Sequence, residues 1–148
     1  MNHLVVLDAR AGELEKILSG VKTMLIKESD PMQSSSHLVN PGDSLYFLRD
    51  REDCTVRVKA IALRILTVTN QEGSLAQTLK EMQSRLHLTE DLFNYWAAKQ
   101  QVLLIEFNLA HKIDPFQVAS HTLQDRPDWI AFEKLRLILV RQEEKHDH

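Results

Sequence analysis

The stretch Thr55–Thr69, TVRVKAIALRILTVT, limits the fold more than any other part of the chain. Thr55, Arg57 and Lys59 share one parity while Val56, Val58 and Ala60 take the other, the alternation of a half-buried strand. Ile61, Leu63 and Ile65 then continue the polar parity, so the face turned to the core changes midway. A long strand that switches faces is expected where it bends across a small barrel, often at a bulge.

The segments around it read as short elements. HLVVLDA (3–9) is apolar and β-branched, a first strand. AGELEKILSG (11–20) spaces Leu14, Ile17 and Leu18 helically and ends on Gly20, where a left-handed C′ residue is favoured. KTMLIKE (22–28) suits a strand buried on both faces, and SDPMQSSSHLVNPGD (29–43) is a loop closed by a strong turn sequence. SLYFLRD (44–50) is a strand, joined to Thr55–Thr69 by the polar REDC (51–54). Two helices follow: GSLAQTLKEMQSRL (73–86), with Ser74 placed to cap and Leu75, Leu79, Met82 and Leu86 on one face, and TEDLFNYWAAK (89–99), opening on Thr89. QQVLLIEFNLAHK (100–112) is a long strand with Glu106 on its less apolar face, and IDPF (113–116) is a turn. The last segment is either a helix from Pro127 or a turn followed by a strand at Leu135–Arg141, and residues 142–148 form a disordered tail. The order is mixed, and a small barrel decorated by helices accounts for it better than a parallel βαβ array.

A chain of 148 residues, 43% of them hydrophobic, is long enough for one core, so a single domain over 1–148 is expected. Its net charge is −3, with neither half basic, so bulk charge gives no support to nucleic-acid binding, although a local patch is left open. Cys54 is the only cysteine, which rules out an intramolecular disulfide and a cysteine-rich zinc site. No run approaches the roughly 18 apolar residues of a membrane span, and a soluble, cytoplasmic protein is expected.

ILSGVKTMLIKE, then NPGDSLYFLRD, VRVKAIALRI and VLLIEFNLAHKIDPF together resemble the ASCH branch of the PUA-like superfamily, over roughly residues 10–116. The resemblance implies an α+β fold, a PUA-like mixed β pseudobarrel decorated by short helices, with a cleft between barrel and helices that binds RNA or a modified nucleobase. Gly20, Lys22 and Thr23 match the family's Gly-x-Lys-Thr, and Pro41, Gly42 and Asp43 its Pro-Gly-Asp. Lys27 stands where arginine is frequent, which keeps the charge and loses bidentate phosphate geometry. One branch is similar to bacterial acetylcytidine amidohydrolases, whose mechanism uses the motif lysine, a threonine three positions later and a glutamate; here that position is Leu25.

Each residue also has a plain reading. Lys22 is a strand-start lysine with a packed stem, Thr23 a β-branched strand residue, and Gly42 and Asp43 turn chemistry. Glu106 is a solvated rim residue or a cleft carboxylate. Arg57, Lys59 and Arg64 with Arg49 and Arg51 form a phosphate stripe or pair with Asp50, Glu52 and Asp53. Of Tyr46, Phe93, Tyr95, Trp96 and Trp129, at most one or two are expected free to stack on bases. His3, His37, His87, His111 and His121 lie apart, and only His146 and His148 are close, so neither a metal nor a cofactor is expected.

These readings converge on a non-catalytic module binding RNA or a modified nucleotide, with Gly20, Lys22, Thr23, Lys27, Gly42 and Asp43 at the site. Two alternatives stand beside it. One is an amidohydrolase on an acylated nucleobase such as acetylcytidine, with Lys22 polarising the scissile group, Thr23 a weak candidate, and Glu106 or Glu28 carrying the proton. The other is a protein-interaction domain.

Overall fold

The structure, a computed structural model, describes residues 1–29, 39–123 and 128–134. Among the described residues six strands form one sheet: β1 (Asn2–Val6), β2 (Met24–Glu28), β3 (Ser44–Leu48), β4 (Thr55–Thr69), β5 (Gln101–Gln117) and β6 (Trp129–Phe132), in the order β2-β5-β4-β3-β1-β6. Neighbours are antiparallel except for the parallel pair β1 and β3. Short helices interrupt them: α1 (Glu13–Leu18), α2 (Ser74–Leu86), α3 (Glu90–Ala97) and α4 (Ser120–Leu123).

The sheet is curled into a half-barrel. Its five inter-strand gaps, at about 4.8 Å each, would hold flat edges about 24 Å apart. Lys27 on edge strand β2 nevertheless places its Nζ 5.9 Å from the ring centre of Trp129 on the opposite edge strand, β6. The curl comes from β4 and β5, whose register shifts between Val56 and Val58, Lys59 and Ile61, and Ala62 and Arg64. Each irregularity bends the ribbon and adds twist. The change of face expected within Thr55–Thr69 is present but comes later than the parity suggests: Ala62 still packs in the inner core, Ile65 rejoins it past the shift between Ala62 and Arg64, and Leu63, expected to face the core, is exposed.

The inner core gathers Val5, Leu25, Leu45, Phe47, Val58, Ala60, Ala62, Leu103, Ile105 and Phe107, with Ile17 of α1 packed against it. On the outer face α2 and α3 cover one end of the sheet through Leu75, Leu79 and Leu86 against Met24, Val102 and Leu104. A second outer cluster, Leu4, Tyr46, Leu48, Val56, Leu123 and Phe132, covers the other end. Met24 and Leu25 thus lie on opposite faces, as expected of a strand buried on both sides.

Local chemistry departs from the sequence reading at four places. Ser74 is the first residue of α2 and not its cap; Gly73 occupies the N-cap at φ +80°, and the side-chain oxygen of Asn70 accepts the Leu75 N–H at 3.2 Å. Leu18 is 39% exposed, because α1 is too short to bury more than one stripe, carried by Ile17 and Leu14. Residues 113–116 are not a turn but continue β5. Pro115 is accommodated because Val56 pairs with Phe116 and Val58 with Lys112, leaving Ile113–Pro115 in an irregular stretch where no ladder donor is required. Finally, Trp129–Phe132 is a strand paired antiparallel to β1, so no helix starts from Pro127 through this stretch. The strand expected at 135–141, the tail at 142–148 and most of the 29–43 loop lie outside the described residues. Thr89 caps α3 as expected, accepting the Leu92 N–H at 3.3 Å.

Asn70 also donates to the carbonyls of Ala97 and Lys99, at 3.1 and 2.8 Å, and so ties the start of α2 to the end of α3. Asn70→Ala is expected to lower stability by about 1–3 kcal/mol in urea unfolding. Ser74→Ala should cost less than half of that.

Candidate functional site

Where the two sheet edges approach each other they leave a cleft of about 1550 Å³. Its walls are β2 from Leu25 to Ser29, Trp129 and Ala131 of β6, the Asp8–Arg10 turn with Glu13 of α1, and Leu92, Tyr95 and Trp96 of α3. Trp129 is half-buried with Lys27 over its ring, while Tyr95 is 54% exposed and meets Trp96 edge-on at 5.0 Å. Lys27 is held below the usual lysine range, chiefly by burial, with Glu28 opposing the shift. Among the described residues the lining carries three cations, Arg10, Lys27 and Arg51, against six carboxylates, Asp8, Glu13, Glu28, Asp50, Glu52 and Asp128. Arg51 is already engaged, donating to Leu123 O at 2.8 Å and to Asp128. The cleft thus offers flat apolar rings and hydrogen-bond acceptors in excess of positive charge.

Of the six residues singled out from the sequence, Lys27 lines this cleft. Gly20 ends α1 at φ +86°, the left-handed conformation expected of it, and turns the chain beneath the helix. Lys22 consequently runs inward and is 1% exposed. Its Nζ donates to Leu86 O at 2.5 Å and lies 3.6 Å from Glu13 Oε1. Lys16 of α1 donates beside it to His87 O at 3.1 Å. Leu86 and His87 are the last residue and the C-cap of α2, so two ammonium groups sit on carbonyls left unpaired by the helix, where its dipole favours positive charge. Burial lowers the Lys22 pKa, and Glu13 works against that shift. Glu13 also accepts the Asp8 N–H at 2.7 Å and is the one member of this group that reaches the cleft. Thr23 bridges elements through its backbone, donating to Arg85 O at 3.0 Å and accepting from Phe107 N at 3.1 Å. Leu25 is 3% exposed in the inner core.

Gly42, at φ +91°, and Asp43 form the expected turn, with Asp43 N–H donating to Asn40 O at 3.1 Å. Asp43 then does something the sequence reading missed. Its Oδ2 accepts from Asn40 N at 2.9 Å and from His3 Nε2 at 2.8 Å, while the Met1 amine lies 3.5 Å from Oδ1. Trp129 Nε1 donates to His3 Nδ1 at 3.0 Å. An indole only donates, so Nδ1 of His3 carries no proton and Nε2–H is the group given to Asp43. Burial lowers the His3 pKa against the pull of Asp43. Burial pushes the Asp43 carboxyl up, but the His3 and Asn40 hydrogen bonds outweigh it and the net shift is downward. The signal in the sequence was His3 at an inward-facing position of an apolar strand, which demands a partner.

Of the other candidates, Glu28, Arg51 and the rings of Tyr95, Trp96 and Trp129 line the cleft, and the rest lie apart. Oε2 of Glu106 is shared by Arg64 at 3.0 Å and Arg85 at 3.1 Å, away from the cleft. Glu28 pairs with Lys99 at 3.3 Å. The basic stripe is divided among acids, Arg49 with Glu15 at 3.2 Å and Arg57 with Asp53 at 3.0 Å, while Lys59 lies 5.4 Å from the ring centre of Tyr46. Tyr46 belongs to the core, and of the aromatics considered for stacking Tyr95, Trp96 and Trp129 line the cleft. Among the described residues no three His, Cys, Asp or Glu side chains are grouped to hold a metal, and no helix is long and apolar enough to cross a membrane. His37, His146 and His148 lie outside the described residues.

No protein-family model and no curated protein sequence matches the chain. Its architecture does match solved structures. An ASCH protein from Zymomonas mobilis superposes with a TM-score of 0.64 at 14% identity, covering 98% of this chain and 91% of that one. A tyrosine-to-phenylalanine variant of the Zymomonas mobilis protein gives 0.64 at 15% identity, covering 98% and 94%. The chain therefore has the ASCH fold, a curled mixed sheet with short helices of the PUA-like α+β class.

The His3–Asp43 pair makes stability fall with acid. Above the usual histidine value of 6.5 His3 is neutral in folded and unfolded chains alike; below it the unfolded chain binds a proton that the folded chain resists. Asp43 adds a loss of the same sign once pH falls below the usual 3.8. Unfolding free energy is expected to decline between pH 7 and 5 with a shallower slope in His3→Gln, measured by urea titration at each pH.

Proposed function

We propose that the chain is a non-catalytic binding module whose cleft between β2, β6 and α3 takes a nucleobase, presented by a modified nucleoside or nucleotide or by an unpaired residue of RNA. The observation that carries this reading is the meeting of Trp129, Trp96 and Tyr95 with acceptor side chains in one cleft. A flat heteroaromatic ring gains by stacking on such faces, and its amino groups gain from carboxylates. The excess of carboxylates disfavours a cleft that tracks a phosphate backbone, so recognition centres on the base. Lys27, held over Trp129, supplies the one cleft cation on β2 and donates to a base carbonyl.

Support for binding over turnover comes from the motif positions. The Lys22 ammonium is engaged at the C-terminus of α2, and Leu25 fills the inner core where an amidohydrolase of the related type would carry its hydroxyl. Glu106, held by two arginines, stands away from the cleft.

Thermal melting against nucleosides, nucleotides and short RNAs tests this. A base that binds the folded state raises the midpoint, and the rise should persist at high salt. Lys27→Met and Tyr95→Ala should each weaken binding about tenfold, with Arg57→Gln neutral. A shift with free nucleosides alone, or with RNA as well, distinguishes the two sources of the base. Absence of any shift across the panel sinks the reading, and a steep loss of RNA affinity with salt would replace it by backbone binding.

A further inference from the structure

Leu63 on β4 and Leu109 on β5 stand in water at 48% and 69% exposure. The core shows why. On β4 the inner core takes Ala62 and then Ile65, and on β5 it takes Phe107 and then Ala110. An unbroken strand returns to the same face at even steps, so each strand has put two consecutive residues on the outer side. These are Leu63 with Arg64, and Asn108 with Leu109, in the stretch where Ile61 pairs with Asn108 and Arg64 with Glu106. Leu109 moreover holds φ +58°, a conformation unfavourable for any residue with a Cβ. Strain is borne here at an aliphatic side chain that stays mostly exposed.

Positive charge surrounds the two leucines. Arg64 and Arg85 are 57% and 47% exposed and share a single carboxylate oxygen of Glu106, so one guanidinium charge is left over. Lys59 extends the strip over Tyr46, with His111 as its cross-strand partner. Among the described residues three cations against one carboxylate make this face basic in a chain of net charge −3. Tyr46 is buried beneath Lys59, so the strip offers aliphatic contacts and cations without a ring for base stacking.

The geometry points to a docking strip for an acidic polypeptide segment with aliphatic side chains. Leu63 and Leu109 seat its apolar residues, and Arg64, Arg85 and Lys59 pair with its carboxylates. None of these residues lines the cleft, so the inference stands independently of the nucleobase reading.

Fluorescence anisotropy of a labelled short peptide alternating glutamate and leucine, titrated with the full chain, provides the test. Saturable binding is expected, weakened at least about tenfold by Leu63→Ser with Leu109→Gly and by Arg64→Gln with Lys59→Gln. Leu109→Gly should leave the melting midpoint unchanged or higher, because glycine relieves the positive φ, so lost binding in that variant is not lost folding. No binding, equal binding of a glutamate–serine peptide, or indifference to both variant pairs overturns the proposal. So does tighter binding of oligouridine at the same residues, which would make the strip a nucleic-acid face.

Discussion

The ladder between β4 and β5 is the interaction on which the rest of the structure depends. It is the longest pairing in the sheet, running from Thr55 opposite Gln117 to Thr69 opposite Gln101, and both remaining halves of the sheet are attached to it. β2 hangs from β5 on one side, and β3, β1 and β6 follow from β4 on the other. Because the ladder is broken at three points, it bends enough to bring β2 and β6 face to face. A regular ribbon of the same sequence length would leave the edges apart and expose the inner core. The same irregularities that form the cleft on one side turn Leu63 and Leu109 outward on the other.

Two buried polar arrangements fasten the periphery to this ribbon, and they work differently. Lys22 and Lys16 tie α1 to the end of α2 by neutralising carbonyls that the helix leaves unpaired, and Glu13 balances the charge. Removing one partner there strands the others away from water, the costliest kind of change in a core. His3, Asp43 and Trp129 instead join three strands in series, β1 to the turn before β3 and to β6. Every polar atom in that chain has one role fixed by its neighbour, which sets a single tautomer and holds the Trp129 ring at the mouth of the cleft.

Much of this was written locally in the sequence. The Leu75-Leu79-Leu86 stripe, Thr89 as a cap and Gly20 as a helix stop each depend on residues within a turn or two of one another and are found as read, while the change of face within Thr55–Thr69 is found only past Ala62, with Leu63 turned to water. What escaped depends on distant partners. Pro115 reads as a turn unless one knows that it lies in an irregular stretch of β5 with two residues in excess of those opposite it on β4, and Asn70 caps α2 from outside any capping pattern. The site suffered most from this. Lys22 and Thr23 are adjacent to a glycine turn in a motif, but the turn aims Lys22 under α1, where α2 from more than sixty residues later supplies its carbonyl. The cleft itself is assembled from Lys27, Trp96 and Trp129, which no spacing in the chain connects.

Pairing Val5 with Trp129 has a kinetic meaning. β3 and β4 are joined by the short turn 49–54 and β4 and β5 by α2 and α3, whereas β6 pairs with β1 across nearly the whole length of the described chain. The wall of the cleft that carries Trp129 therefore costs the most chain entropy to close, and it is the part of the sheet expected to open first. A molecule held between Trp129 and Lys27 would act on that step alone, slowing departure of the final strand while leaving the rate of ribbon formation untouched.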